Sequence, residues 1–137
     1  KSIASLNEGY KLIIRGEIIM IRLAKTEDLN NITDVYSYAR KFMAENGNPT
    51  QWGTNYPSEQ LIENDINNKK MYVIEEENQI HAVFMFDICE DETYEVIKNG
   101  QWLSNEEYGV IHRVASDGKI KGVLNKAVDF STAFILI

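Results

Sequence analysis

The hydrophobic and polar positions along the chain predict three helices. Apolar residues recur at three- and four-residue spacing through residues 29–43, which is the pattern of an amphipathic helix of about five turns. Thr26, followed by two acids, is suited to cap its start, and Gly47, with a proline two positions later, is suited to end it. Ser58 can cap a second helix, and a third helical pattern begins at Val123.

Shorter apolar segments between the helices predict four strands. They comprise residues 20–24, 71–76, 79–90 and 108–116, with a tight polar turn between the middle two and an irregular, aromatic-rich connection before the last. The third strand is apolar on both faces, as expected of a strand inside a sheet. Because the order mixes helices with a hairpin, we expect an α+β domain with a mixed, mainly antiparallel sheet flanked by helices.

Composition narrows the class of protein. The chain has 137 residues, 44% of them hydrophobic, and a net charge of −7, so it suits one globular domain and argues against nucleic-acid binding. A single cysteine, Cys89, permits no internal disulfide and no zinc-type cluster, so we expect no metal and a cytoplasmic location. No apolar run is long enough to cross a membrane. Residues 1–19, which can include a strand near 10–14, are interpreted as a leader or N-terminal extension, and residues 20–137 as one domain.

The segment SDGKIKGV, residues 116–123, follows a strand directly and precedes a helix. Two interpretations are open. It can be an ordinary turn, since glycine and lysine are common in turns. It can also be an anion site, because a helix N-terminus offers unpaired N–H groups, glycine lets the backbone approach a ligand, and Lys119 and Lys121 supply positive charge.

The order of elements and the amino-acid sequences of two segments resemble those of the GNAT superfamily of N-acetyltransferases, and of one bacterial branch in particular. The segments are residues 46–66 and 108–123, and the likeness extends over residues 20–124. The family's loop motif, R/Q-x-x-G-x-G/A, corresponds here to residues 119–124, in which Lys119 replaces Arg or Gln and Leu124 replaces a small residue. The family normally continues beyond this point, so the resemblance implies that the C-terminal part of the fold is missing or rebuilt.

This resemblance implies a function and a binding mode. Members transfer an acetyl group from acetyl-CoA directly to an amine, so we expect an acceptor that is a primary amine of a small molecule or peptide. The resemblance places the pantetheine arm on the backbone of His112, Arg113 and Val114, with a nearby N–H group stabilising the oxyanion. It places the pyrophosphate on the loop made of Lys119, Ile120, Lys121, Gly122, Val123 and Leu124.

The catalytic base has two candidates. His112 has a pKa suited to proton removal at neutral pH and, on a regular strand, shares a face with Val110 and Val114. The alternative for His112 is a half-buried histidine that satisfies a neighbour. Glu90, or one of the two acids after it, can instead accept the proton through water, although acids at a strand end are usually solvated surface. His81 lies near the hairpin turn and is interpreted as structural.

Four aromatic residues in loops are expected to line the acceptor site, namely Trp52, Tyr56, Tyr94 and Trp102. Packing in the core is the alternative for each of them. The negative net charge favours a cationic amine.

Three functional hypotheses remain open from the sequence. The first is an active N-acetyltransferase with acetyl-CoA as cosubstrate. The second is a catalytically impaired CoA-binding or interaction module, which Leu124 and the short C-terminal part favour. The third is a small regulatory domain whose loop binds another phosphate ligand. A sheet that ends early also leaves an unpaired edge, which suggests a homodimer.

Overall fold

A computed structural model of the protein describes residues 10–14, 17–48, 50, 52–89 and 108–136. The elements, in chain order, are strands β1 (Tyr10–Ile14) and β2 (Glu17–Leu23), helices α1 (Leu29–Glu45) and α2 (Glu59–Asn67), strands β3 (Met71–Glu76), β4 (Gln79–Cys89) and β5 (Tyr108–Ser116), and helix α3 (Val123–Leu136). None of the helices in these ranges is long and apolar enough to span a membrane.

The five strands form one antiparallel sheet in the order β1-β2-β3-β4-β5. The predicted α+β class with a mainly antiparallel sheet and flanking helices is confirmed. The first predicted strand begins three residues earlier than expected, at Glu17, because Ile19 and Ile21 both face the core at 4% and 0% exposure. The division between residues 1–19 and 20–137 stays a prediction.

Helices cover both faces of the sheet. On one face, α3 packs through Ala127 and Phe130 against Tyr72 and Phe84. On the other face, α1 and α2 pack against the sheet around a second core that includes Tyr36. Strand β4 contributes to both cores, which explains why its sequence is apolar on both faces.

The helix ends agree only in part with the predicted caps. The Ser58 hydroxyl accepts a hydrogen bond from the Leu61 N–H at 3.2 Å, so the predicted cap of α2 is confirmed. Thr26 is not the cap of α1. A short 3-10 turn precedes that helix, and the carboxylate of Asp28 accepts the Lys25 N–H at 2.7 Å while also binding Arg22.

Candidate functional site

Strand β5 contains a bulge at the point where it faces α1 and α2. On β4, Val83 and Met85 pair with Ala115 and His112. The single β4 residue between them therefore faces two residues of β5, and the first of these, Arg113, has a φ of 52°. A positive φ is costly for a residue with a side chain, so surrounding contacts must hold this conformation.

Three groups hold the bulge, one from α1, one from α2 and one from the connection between these helices. The Tyr36 hydroxyl on α1 donates to the Arg113 carbonyl at 2.7 Å. The Arg113 guanidinium donates to both carboxylate oxygens of Asp65 on α2, each at 2.9 Å, and to the Tyr56 hydroxyl at 3.3 Å. A two-pronged pair of this kind fixes orientation as well as distance. The backbone and the side chain of Arg113 are thus both anchored to the helical layer.

The electrostatics of this cluster keep each donor protonated. Burial lowers the pKa of Arg113, but the hydrogen bonds to Tyr56 and Asp65 outweigh it and the pKa stays above its ordinary value. Burial raises the pKa of Tyr36 well above its ordinary value. The Tyr36 hydroxyl therefore remains a hydrogen-bond donor at any pH at which the protein would work.

The raised pKa of Tyr36 gives a testable pH dependence. The unfolded tyrosine ionises near pH 10 while the folded one does not, so its contribution to stability is complete below about pH 10 and declines above it. Tyr36→Phe carries no ionisable group at this position. We expect the difference in unfolding free energy between the wild type and Tyr36→Phe, measured in urea, to shrink on going from neutral pH to beyond pH 10. A constant difference would contradict the assigned burial of this hydroxyl.

The bulge changes which residues share a face of β5 with His112. The expectation that His112 shares a face with both Val110 and Val114 is wrong for Val114, because the extra residue reverses the alternation. Val114 packs against the core beneath α3, whereas His112 pairs with Met85 and its side chain is exposed. The role of His112 as a base stays a prediction, and Glu90 lies outside the described residues.

The start of the loop after β5 is held by its own side chains. The Ser116 hydroxyl accepts the Gly118 N–H at 3.0 Å, and the Asp117 carboxylate accepts the Lys119 N–H at 2.9 Å. The other oxygen of Asp117 lies 2.7 Å from Nδ1 of His81 on β4. His81 therefore has a partner in the loop, in keeping with a structural role. The N–H group of Lys119 already donates to Asp117 inside the loop.

The second half of the loop presents open amides. Within the described ranges, no protein acceptor is found for the N–H groups of residues 121–124, which lead into the first turn of α3. Gly122 has a φ of 66°, and Lys126 donates to the Lys121 carbonyl, which brings a further cation to this turn. The side chain of Leu124 is 58% exposed, so it does not turn into the core.

The side chains of the loop divide between core and surface. Ile120 and Val123 are buried in the core beneath α3, so only their backbone can face a ligand. Lys119 and Lys121 are exposed and leave their charges in solvent. The binding role of each loop residue stays a prediction.

Two of the four predicted acceptor residues lie together beside the bulge. The rings of Trp52 and Tyr56 have centroids 5.9 Å apart, and Trp52 also packs edge-on against Tyr36 at 5.9 Å. Tyr94 and Trp102 lie outside the described residues.

An apolar groove of about 350 Å³ runs from this aromatic cluster to the start of the loop. Its floor is formed by β5 at residues 114–116 together with Gly118. Its walls are the C-terminal half of α1, with the rings of Tyr38 and Phe42, and Trp52 from the connection between the helices. At Gly118, which has a φ of 80°, a Cβ would stand 3.0 Å from the Tyr38 hydroxyl, so a larger residue would disturb this end of the groove.

The sequence reasoning did not identify Tyr36 or Asp65. Tyr36 fits the apolar spacing of α1 and gave no separate signal. Asp65 did offer one, because it is an acid on the apolar face of α2, next to Ile66, and it is only 5% exposed. A buried acid needs a partner, and its partner is the residue at the bulge.

Comparison with solved structures shows a consistent likeness. A GNAT family acetyltransferase from Streptococcus agalactiae 2603 is 26% identical with a TM-score of 0.64, over 94% of this chain and 71% of that one. A Staphylococcus aureus Mu50 protein assigned to the acetyltransferases is 30% identical with a TM-score of 0.56, over 82% and 72%. A GNAT family acetyltransferase from Brucella melitensis, solved with acetyl-CoA, is 15% identical with a TM-score of 0.51, over 85% and 68%. No family model matches the sequence, and no curated protein matches it.

Proposed function

The chain belongs to the GNAT superfamily of acetyltransferases, and from that premise we propose that it transfers an acetyl group from acetyl-CoA directly to a primary amine of a small molecule or peptide. The observation that carries the proposal is the succession of two features on one strand. A bulge fixed at Arg113 is followed, eight residues later, by the N–H groups of residues 121–124, which have no acceptor in the described part of the chain.

The open amides suit a pyrophosphate. The N–H groups of residues 121–124 stand at the N-terminus of α3, where the helix dipole adds partial positive charge. Lys119 and Lys121 place full charges beside them, although the chain as a whole is acidic at −7. The Brucella melitensis neighbour binds acetyl-CoA, which supports acetyl-CoA as the cosubstrate here. The backbone of residues 112–114, at the edge of the described sheet, would hold the pantetheine arm.

The bulge offers an N–H group that could bind the thioester carbonyl of acetyl-CoA. Because a trans peptide is planar, its C=O and N–H point in opposite directions. The Arg113 carbonyl points to Tyr36 on α1, so the N–H of Val114 in the same peptide points away from α1. We infer that this N–H stabilises the oxyanion that forms when the amine attacks, a role in which one donor contributes about 10²–10³ in rate.

The transfer then needs no covalent enzyme intermediate. The nitrogen lone pair forms a bond to the thioester carbon, the carbon–sulfur bond breaks, and the sulfur leaves as the thiolate of CoA. The attacking nitrogen loses one proton, which His112 or, alternatively, Glu90 would accept. The exposed position of His112 on β5 lets it pass that proton to solvent.

The loop assignment is tested by reversing one charge. We expect Lys119→Glu to weaken CoA binding about tenfold or more in titration calorimetry, because a carboxylate would then stand beside the pyrophosphate. Lys69→Glu makes the same change on the exposed turn after α2 and is the matched control. Equal affinities of the two variants would count against this loop as the pyrophosphate site. Release of free thiol from acetyl-CoA in the presence of a panel of amines tests the transfer itself.

A further inference from the structure

A histidine on β4 holds the first half of the loop after β5. The Asp117 N–H donates to the His81 carbonyl at 2.9 Å, and a carboxylate oxygen of Asp117 lies 2.7 Å from Nδ1 of the same histidine. An ionised carboxylate accepts hydrogen bonds and donates none, so Nδ1 carries the hydrogen of this bond. One residue of β4 therefore binds both the backbone and the side chain of Asp117.

The carboxylate of Asp117 is fixed from two sides. The side chains of His81 and Asp117 are only 12% and 17% exposed, so water competes weakly for the bond between them. The second carboxylate oxygen accepts the Lys119 N–H at 2.9 Å. Hydrogen bonds to a charged acceptor are stronger than those between neutral groups. Asp117 thus connects the sheet, through His81, to the backbone of the loop at Lys119.

Two further contacts hold the loop before its open amides begin. Gly118 lies so close to α1 that a Cβ there would stand 3.0 Å from the Tyr38 hydroxyl. Ile120 is 7% exposed and belongs to the core beneath α3. The loop is therefore bound at residue 117 and packed at residues 118 and 120. The N–H groups of residues 121–124, for which the described part of the chain offers no acceptor, follow directly.

A diphosphate that binds several N–H groups needs all of them to point to one place at the same time. A loop that must first be ordered binds its ligand more weakly than one already held in the binding conformation. We propose that His81 is a positioning residue for the cosubstrate. Through Asp117 it holds the loop so that residues 121–124 present their N–H groups together to the diphosphate of acetyl-CoA. This inference rests on the proposed function.

The test compares two substitutions of nearly equal size. In His81→Asn the side-chain amide nitrogen stands where Nδ1 stood and can still donate to Asp117, whereas His81→Leu offers no donor. His81 lines a polar cavity of about 320 Å³, which leaves room for either side chain. We expect His81→Leu to raise the Kd for CoA and the KM for acetyl-CoA about tenfold with kcat unchanged, and His81→Asn to stay within about twofold of the wild type.

A donor without a diphosphate separates positioning from general damage to the fold. S-acetylpantetheine carries the same thioester as acetyl-CoA but no phosphate, so it makes no use of the N–H groups of residues 121–124. We expect kcat/KM for S-acetylpantetheine to be the same in His81→Leu and in the wild type. An equal loss with both donors would show that His81 supports the fold alone, and would overturn the inference.

Hydrogen exchange at the Lys119 amide reports on the loop directly, and we expect it to be faster in His81→Leu but not in His81→Asn. If either this rate or the Kd for CoA is the same in the two variants, the positioning role is wrong, while the function stands wherever an amine is acetylated. If both follow the expected order but no amine is acetylated, the positioning role stands and the transferase function fails. If the wild type binds no CoA, both are wrong.

Discussion

Asp65→Ala is expected to lower the free energy of unfolding by about 3–5 kcal/mol and to abolish acetyl transfer, because it leaves the partly buried Arg113 guanidinium without its ion-pair partner. Asp65 and Arg113 have side-chain exposures of only 8% and 15%, so solvent screens their interaction weakly. Urea denaturation followed by circular dichroism measures the stability, and thiol release measures the transfer.

Two further variants show what the Asp65 pair contributes. Asp87→Asn removes a carboxylate that lies 2.9 Å from Lys70, but that pair is about one-third exposed, so we expect a loss below about 1 kcal/mol. The double variant Asp65→Leu with Arg113→Met replaces the buried charges by apolar groups, which often restores stability. We expect it to regain stability but not transfer. If Asp65→Ala loses no more stability than Asp87→Asn, the ion pair does not hold the bulge.

The elements that sequence reasoning predicted well are those whose periodicity extends over many residues. Helix α1 was predicted from apolar spacing through residues 29–43, and β4 from an apolar run that both cores now explain. Extended patterns of this kind reflect burial of a whole face, which the chain must satisfy everywhere along the element.

The bulge could not be predicted in this way. It depends on one residue, Arg113, which has a positive φ although it is not a glycine. The sequence therefore gives no sign of the bulge at this position. The groups that hold it, Tyr36 and Asp65, lie 77 and 48 residues away in sequence. Local propensity carries no information about contacts between residues so far apart in sequence. The one extra residue of the bulge also places Val114 on the opposite face of β5 from His112.

The loop was ambiguous in sequence because its two halves differ in structure. Its first part is an ordinary turn, in which Ser116 and Asp117 accept the N–H groups of the residues two positions later. Its second part, from Lys121, opens its amides at the start of α3. The interpretation as a turn therefore applies to the first half, while an anion site in the second half stays a prediction that its open amides permit.

Tyr36→Phe is expected to lower kcat for acetyl transfer by about 10- to 100-fold while leaving the Kd for CoA unchanged. The substitution keeps the ring in the core but removes the hydroxyl that donates to the Arg113 carbonyl at 2.7 Å. The peptide after Arg113 is then free to rotate, and the Val114 N–H loses the fixed direction that its proposed role at the oxyanion requires. The open amides of residues 121–124 belong to another segment, so affinity for the pyrophosphate should not change.

Tyr72→Phe is the matched control for this prediction. Tyr72 is 3% exposed, its pKa is raised by burial to about 12, and its ring packs on the opposite face of the sheet, against Phe130. Both substitutions remove one buried hydroxyl, so both can reduce stability, but only Tyr36→Phe should change kcat. The amide resonance of Val114, followed by NMR, should shift in Tyr36→Phe and stay in place in Tyr72→Phe. If Tyr36→Phe loses stability but retains full kcat and an unshifted Val114 amide, the hydrogen bond from Tyr36 supports the fold alone, and the oxyanion must be stabilised elsewhere.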